Sequence, residues 1–291
     1  MQEEYSRVQW FPGHMAKAKR KIQESLSKVD VAVELVDARI PYSSRNPLLD
    51  EILQSRPRVI LLNKCDLADP KVTAKWIEYY KRNGVTALAV DCKSGRNLKT
   101  LLPTVKEVLK DKIASWENKG MVGRTIRIMA VGIPNVGKSA FINAMCRGGN
   151  AGKADVQDRP GVTRQNRWFT IGKGFDLLDT PGVLWHKFEE AKVGEMLAFT
   201  GAVNDDVIDT VYLAGRLLEY LKIDYLPDIC ARYKLNIDDV KDLKGYELLE
   251  KIGRKRGMLI SGGEIDTERA ASTVLDEFRG GKIGRISLEH I

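Results

Sequence analysis

A strand-like run, Thr125–Val131, feeds directly into Gly132-Ile133-Pro134-Asn135-Val136-Gly137-Lys138-Ser139, and a helical pattern from Lys138 to about Arg147 follows. A glycine-rich turn between a strand and a helix lets backbone N–H groups close around an anion at the positive end of the helix. The segment is a predicted phosphate loop, with Asn135 through Ala140 lining it. Lys138 is expected on the β and γ phosphates and Ser139 on Mg²⁺. The motif that would read the base does not come after this loop. Asn63-Lys64-Cys65-Asp66 lies well upstream, after the apolar run Arg58–Leu62. That order narrows the fold more than any other feature, because both segments must reach one ligand from strands of one sheet.

In an ordinary small GTPase the phosphate loop opens the domain and the Asn-Lys-x-Asp motif follows near its end. Here the parts are permuted. The Asp66 carboxylate can accept from N1–H and N2–H₂ of guanine, a pair that adenine does not offer, while Asn63 and the Lys64 stem brace the pocket. Asp91-Cys92-Lys93-Ser94-Gly95-Arg96-Asn97-Leu98 follows the next apolar run, Thr86–Val90. It is similar to the Ser-Ala-x-x-Gly-x-Gly-Leu segment whose backbone N–H meets the guanine carbonyl. Asp91 and Cys92 replace Ser and Ala, and Asn97 replaces the second Gly.

Asp179-Thr180-Pro181-Gly182 completes the set: Asp179 is expected to hold Mg²⁺ through water, and the Gly182 N–H to meet the γ phosphate. Arg159-Pro160-Gly161-Val162-Thr163 lies between the phosphate motifs, with Thr163 as the expected switch residue closing on Mg²⁺ when GTP is bound. Val183 stands where Ras-like enzymes carry the glutamine that orients water. Slow intrinsic hydrolysis is therefore expected, with the catalytic group coming from elsewhere.

Strand patterns at Val29–Val36, Arg58–Leu62, Thr86–Val90 and Thr125–Val131 alternate with helical patterns at Pro47–Gln54, Val72–Lys81 and Leu98–Trp116. Alternation of this kind predicts an α/β fold, a parallel sheet covered on both faces. Trp168–Ile171 and Phe175–Leu178 read as a hairpin, and Lys119–Gly123 as a linker. Beyond about residue 186 only helical patterns occur: Glu190–Ala202, Val207–Leu221, Leu226–Tyr233, Gly245–Gly253 and Thr267–Phe278. The expected division is an N-terminal segment (1–28), a nucleotide domain (29–185) and a smaller all-helical domain (186–291).

The chain of 291 residues carries a net charge of +8, concentrated at His14–Lys28, Arg147–Lys173 and Lys251–Arg256. Such a balance fits either a polyanionic partner or a solvated basic surface. No apolar run approaches the roughly 20 residues of a membrane helix, and the start lacks an export pattern. A cytoplasmic home, no membrane partner and reduced thiols at Cys65, Cys92, Cys146 and Cys230 are expected.

The permuted order, Val36-Asp37-Ala38-Arg39-Ile40-Pro41, the phosphate loop with its Asn135 and Trp10-Phe11-Pro12-Gly13-His14-Met15 together resemble the bacterial ribosome biogenesis GTPase A family, over nearly the whole chain. The resemblance implies a circularly permuted P-loop GTPase that acts late in maturation of the large ribosomal subunit. It implies hydrolysis stimulated by that particle, contacts with its rRNA, and a monomer off the ribosome. It implies that His14 stands in for the missing glutamine, although anchoring the amino-terminal segment or touching RNA stays open for this histidine. It also suggests K⁺ beside Asn135, although an asparagine that only braces the loop stays open. Lys251–Gly257 becomes an RNA contact, its glycines allowing close approach to phosphates. Two other readings share the nucleotide motifs: a switch in which hydrolysis merely resets binding, and a GTPase acting on tRNA or another RNA. A P-loop ATPase or kinase fits worst, since Asp66 would have no base to read.

Overall fold

In the computed structural model, which describes residues 20, 22–148, 167–179, 191–203 and 209–291, the strand Val31–Asp37 (β1) is buried from end to end. It is the strand from which the sheet is built outwards. β1 pairs in parallel with Arg58–Asn63 (β2) on one side and with Ile126–Gly132 (β4) on the other. Beyond β2 lies Thr86–Ala89 (β3), also parallel. Beyond β4 come Phe175–Asp179 (β6), parallel, and Arg167–Gly172 (β5), antiparallel at the edge. The order is β3-β2-β1-β4-β6-β5. Both strands that carry the expected nucleotide motifs therefore flank β1, at the point where the chain stops adding strands on one side and starts on the other. Open α/β sheets bind ligands in the crevice at that switch point.

Side chains alternate between the two faces of the sheet along β1. Val31, Val33 and Leu35 enter the large apolar core, whereas Ala32 and Val36 enter two smaller clusters. Glu34 lies between Ala32 and Val36 on the same strand face, fully buried, with Arg45 at 3.3 Å and Arg58 at 3.5 Å. Burial pushes its carboxyl above the usual range against the pull of both guanidinium groups.

The helices begin where the local chemistry favours a start. Asn46 caps Pro47–Leu53 (α1) by accepting from Leu48 N. Asp69 caps Pro70–Arg82 (α2) by accepting from Lys71 N and Val72 N. In both, proline follows the cap, where its missing N–H costs no hydrogen bond. The expected long helix at Leu98–Trp116 is instead a 3₁₀ turn, Leu98–Thr100, followed by Leu101–Val108 (α3) and Lys110–Asn118 (α4). Pro103 sits in the first turn of α3, and Leu109 leaves helical geometry at ψ 8°, so one apolar stripe is divided into pieces. Lys138–Gly148 (α5) follows the phosphate loop.

Past the sheet lie Ala191–Phe199 (α6), Thr210–Tyr233 (α7), Gly245–Lys255 (α8) and Thr267–Arg279 (α9). α7 unites two expected helices; Tyr225 (φ −127°) marks a kink two residues before Pro227, the usual cause of a bend. The apolar side chains of α6 to α9 are continuous with the core on one face of the sheet. After α9 the chain runs back without regular structure and packs along the sheet unit near residues 39–43 and 65–69. Among the described residues no helix is long and apolar enough to cross a membrane.

Candidate nucleotide-binding site

Strand register sets the site's frame. Asp37 pairs with Asn63, and Leu35 with Gly132, so the ends of β1, β2 and β4 open together. From the end of β2, Asn63 reaches across: its Nδ2 donates to the Val136 carbonyl at 2.8 Å. Its Oδ1 accepts from the Cys92 N–H at 3.0 Å. One buried amide thus ties together three of the expected nucleotide segments. Gly137 packs directly on it, and a β-carbon there would fall on the Asn63 amide nitrogen. At φ 101° this is also backbone that glycine adopts most readily.

Lys64 makes a second tie. Its ammonium lies 2.9 Å from the Asp37 carboxylate and donates to the Asn135 carbonyl at 3.1 Å. Asp37 is buried and also takes the Arg39 guanidinium at 2.7 Å and 2.9 Å. Burial alone would raise this carboxyl, but Arg39 and Lys64 together hold it well below the ordinary carboxylate range. Asp66, two residues on, is exposed and open to a ligand.

The segment after β3 is a tight turn. Asp91 N donates to the Arg96 carbonyl and Gly95 N to the Asp91 carbonyl. The Asp91 carboxylate accepts from Lys93 N at 2.8 Å and Ser94 N at 3.3 Å. Burial would raise its pKa, yet these bonds keep it below the usual value. Asn97 stands at φ 63°, a left-handed position that asparagine tolerates, which explains how it replaces a glycine. The Cys92 N–H, assigned from the sequence to the guanine carbonyl, donates here to Asn63, so that contact would be a shared one. Burial pushes the Cys92 thiol up to about 12, and Cys65 is buried as well.

Across the crevice, Lys138 opens α5. Burial pulls its ammonium down to about 8, with Asp179 opposing the shift. Asp179 ends β6 and pairs in register with Ala130, two residues before the phosphate loop. Ser139 is exposed on the first turn of α5. A hydroxyl and a carboxylate are the hard oxygen donors that Mg²⁺ takes, so this pair fits the ion. Asn135, at φ 58°, donates through Nδ2 to the Gly201 carbonyl at 3.2 Å. That bond orients the amide and leaves its oxygen as the atom a K⁺ ion would use. Val136 is buried and Ala140 half-buried beside them. His14, Thr163, Thr180 to Gly182 and Val183 lie outside the described residues.

Some of the contributors were not expected. Asp37, itself paired with Arg39, holds Lys64, Gly201 holds Asn135, and Arg285 donates to the Cys65 and Ala68 carbonyls at 2.7 Å and 3.0 Å. The Asp-x-Arg spacing after a buried strand was a usable signal for the first pair. Nothing in the sequence pointed to Arg285. The basic stretch on α8 also differs from expectation: Gly253 is buried, and a β-carbon there would meet Ile265 at 2.8 Å. It serves helix packing rather than close approach to RNA. Lys251, Arg254 and Lys255 remain exposed.

A family model described as a 50S ribosome-binding GTPase matches residues 127–224; it takes in the phosphate loop but neither of the segments at 63–66 and 91–97. Ribosome biogenesis GTPase A from Priestia megaterium is 46% identical over 97% of this chain and 96% of its own length. The GDP-bound structure of YlqF from T. maritima superposes with a TM-score of 0.66 at 30% identity, covering 93% of this chain and 99% of that one. Its GNP-bound form gives 0.65 at 29%, covering 94% and 98%. With its Asn-Lys-x-Asp segment ahead of its glycine-rich loop, and with similarity running nearly end to end, the chain belongs to the ribosome biogenesis GTPase A family of P-loop GTPases and hydrolyses GTP.

Proposed function

We propose that this GTPase acts late in assembly of the large (50S) ribosomal subunit, binding the precursor and its rRNA, and that the particle stimulates its hydrolysis. The observation that carries the reading is that the helical unit bearing the exposed Lys251, Arg254 and Lys255 bonds directly to the phosphate loop through Gly201 and Asn135. Contact with RNA on one side therefore has a physical route to the nucleotide. The relative's printed name and the matched model's description, both ribosomal, support the same partner. A cytoplasmic location, a monomer off the particle and the division at 29–185 and 186–291 belong to this reading.

At the site, Asp66 reads guanine, Asn63 and Lys64 hold the pocket, and Cys92 lies against the base. Lys138 neutralises β and γ oxygens, while Val136, Gly137, Ala140 and Gly182 offer backbone N–H groups. Ser139, Asp179 and Thr163 would hold Mg²⁺, which supplies charge neutralisation on the phosphate oxygens. Asn135 would hold K⁺, a fixed positive charge beside the breaking bond. His14 orients the attacking water, a task open to a neutral imidazole. Changing His14 to Ala is expected to slow particle-stimulated turnover and leave GDP affinity intact; lost affinity would give His14 a structural role. Turnover equal in K⁺ and Na⁺ would remove the ion from Asn135.

Gradient sedimentation of extracts depleted of the protein tests the assignment. An incomplete large subunit should accumulate, and the protein with a non-hydrolysable GTP analogue should co-sediment with it. A normal subunit profile would refute the proposal.

A further inference from the structure

The chain after α9 has no regular structure, yet its polar atoms converge on one short loop of the sheet unit. Arg285 Nη2 donates to the Cys65 carbonyl at 2.7 Å and Nε to the Ala68 carbonyl at 3.0 Å. Ile286 N donates to the Leu67 carbonyl at 2.8 Å, and Asp69 N donates to Ser287 Oγ at 3.1 Å. Gly281 presses on the same loop: a β-carbon there would sit 2.7 Å from a Leu67 methyl. Residues 65 to 69 are thus gripped on both sides of the exposed Asp66.

The grip is itself anchored. Leu288 N donates to the Arg39 carbonyl at 2.8 Å. The buried Glu289 carboxylate accepts from Tyr42 N at 2.6 Å, from Ser43 N at 3.1 Å and from the Ser43 hydroxyl. Trp76 Nε1 donates to the Glu289 carbonyl at 3.0 Å. On the helical side, the Tyr225 hydroxyl bonds the Ser287 backbone at both N and O. A segment fixed at so many points opens little relative to its anchors and positions what it touches.

We infer that residues 281–287 are a working part of the guanine pocket, with Arg285 as the positioning residue that sets the Asp66 carboxylate for its two-donor contact with the base. The inference rests on Asp66 reading guanine, as proposed above. A carboxylate that meets both N1–H and the 2-amino group needs correct placement of both oxygens, whereas one that meets N1–H alone tolerates a shifted loop. Loosening the loop therefore costs the second bond first.

GDP and inosine diphosphate separate these effects, since they differ only in the 2-amino group. Titration of the full chain should show wild type preferring GDP. Arg285→Ala should shrink the GDP-to-IDP affinity ratio by about tenfold or more, the worth of one hydrogen bond to a charged group. Arg285→Lys keeps the charge but not the two-pronged grip, and should fall between. A merely structural role would weaken both nucleotides alike and leave the ratio unchanged. An unchanged ratio in Arg285→Ala overturns the inference; if that variant does not fold, an unchanged ratio in Arg285→Lys does so. Wild type binding GDP, IDP and ADP equally would instead overturn the reading of Asp66 itself, and the inference with it.

Discussion

Asn63 shows how much one side chain carries in this site. Its amide satisfies a carbonyl of the phosphate loop and an N–H of the third segment, and leaving such buried groups unpaired costs about 1–3 kcal/mol each. Asn63→Ala should weaken GDP binding by about ten- to a hundredfold in a fluorescent-nucleotide titration; an unchanged affinity would mean that the three segments hold one another without it. Lys138 gives a pH prediction. Its pKa of about 8 lies below the ordinary lysine value, so the unfolded chain binds more protons between about pH 8 and 10.5. This lysine's burial penalty is full below pH 8 and is relieved as pH rises through that window. Phosphates restore the charge, so GDP binding at pH 9 should take up a proton, read by calorimetry in buffers of different ionisation enthalpy. No buffer dependence would contradict this. The nucleotide motifs were legible because each joins a special residue type to a strand end. Arg285, Gly201 and the Asp37–Arg39 pair were less so, because main-chain acceptors and tertiary ion pairs leave no pattern in spacing.

The elements divide in the same way. β1, β2 and β4 were readable as apolar runs, since burial on both faces writes itself into composition; β3, β5 and β6, only partly buried, were readable as shorter runs set off by turn residues. The helices were readable in position but not in continuity. Two helices were expected at Val207–Leu221 and Leu226–Tyr233, yet packing of Leu213, Leu217, Leu221 and Ile229 carries one helix, kinked at Tyr225, through Pro227. Leu109 split a helix whose apolar stripe alone looked unbroken. In the helical unit, the buried Glu277 on α9 takes Arg232 of α7 at 2.9 Å and Arg256 at the end of α8 at 3.5 Å. Hydrogen bonding from Arg232, against the cost of burial, holds Glu277 below the ordinary range. Its contribution is therefore present above about pH 4.5 and lost as pH falls through the depressed value. Glu277→Gln should cost about 1–2 kcal/mol, discounted for the half-exposed arginines. It should lower the melting temperature by a few degrees at pH 7 and by less at pH 3. An equal loss at both would assign the effect to packing.

At the scale of the molecule, permutation puts the Asn-Lys-x-Asp loop early in the chain, and residues 285–287 pack against it. The helical unit touches the phosphate loop through Gly201 and the base loop through Arg285, so nucleotide and partner share one framework. Reversing Lys251, Arg254 and Lys255 to Glu should weaken binding to ribosomal precursors and flatten its salt dependence by about 0.7–0.9 in log–log slope per lost phosphate contact. An unchanged slope would free α8 from RNA. The whole account turns on a guanine-selective pocket built from β2, the phosphate loop and the chain's end. Isothermal calorimetry with GDP and ADP on the intact protein tests that most directly. The account predicts tight GDP binding and ADP weaker by about a thousandfold or more, since a pocket built to pair polar groups rejects a base that lacks them. Equal affinities would contradict it.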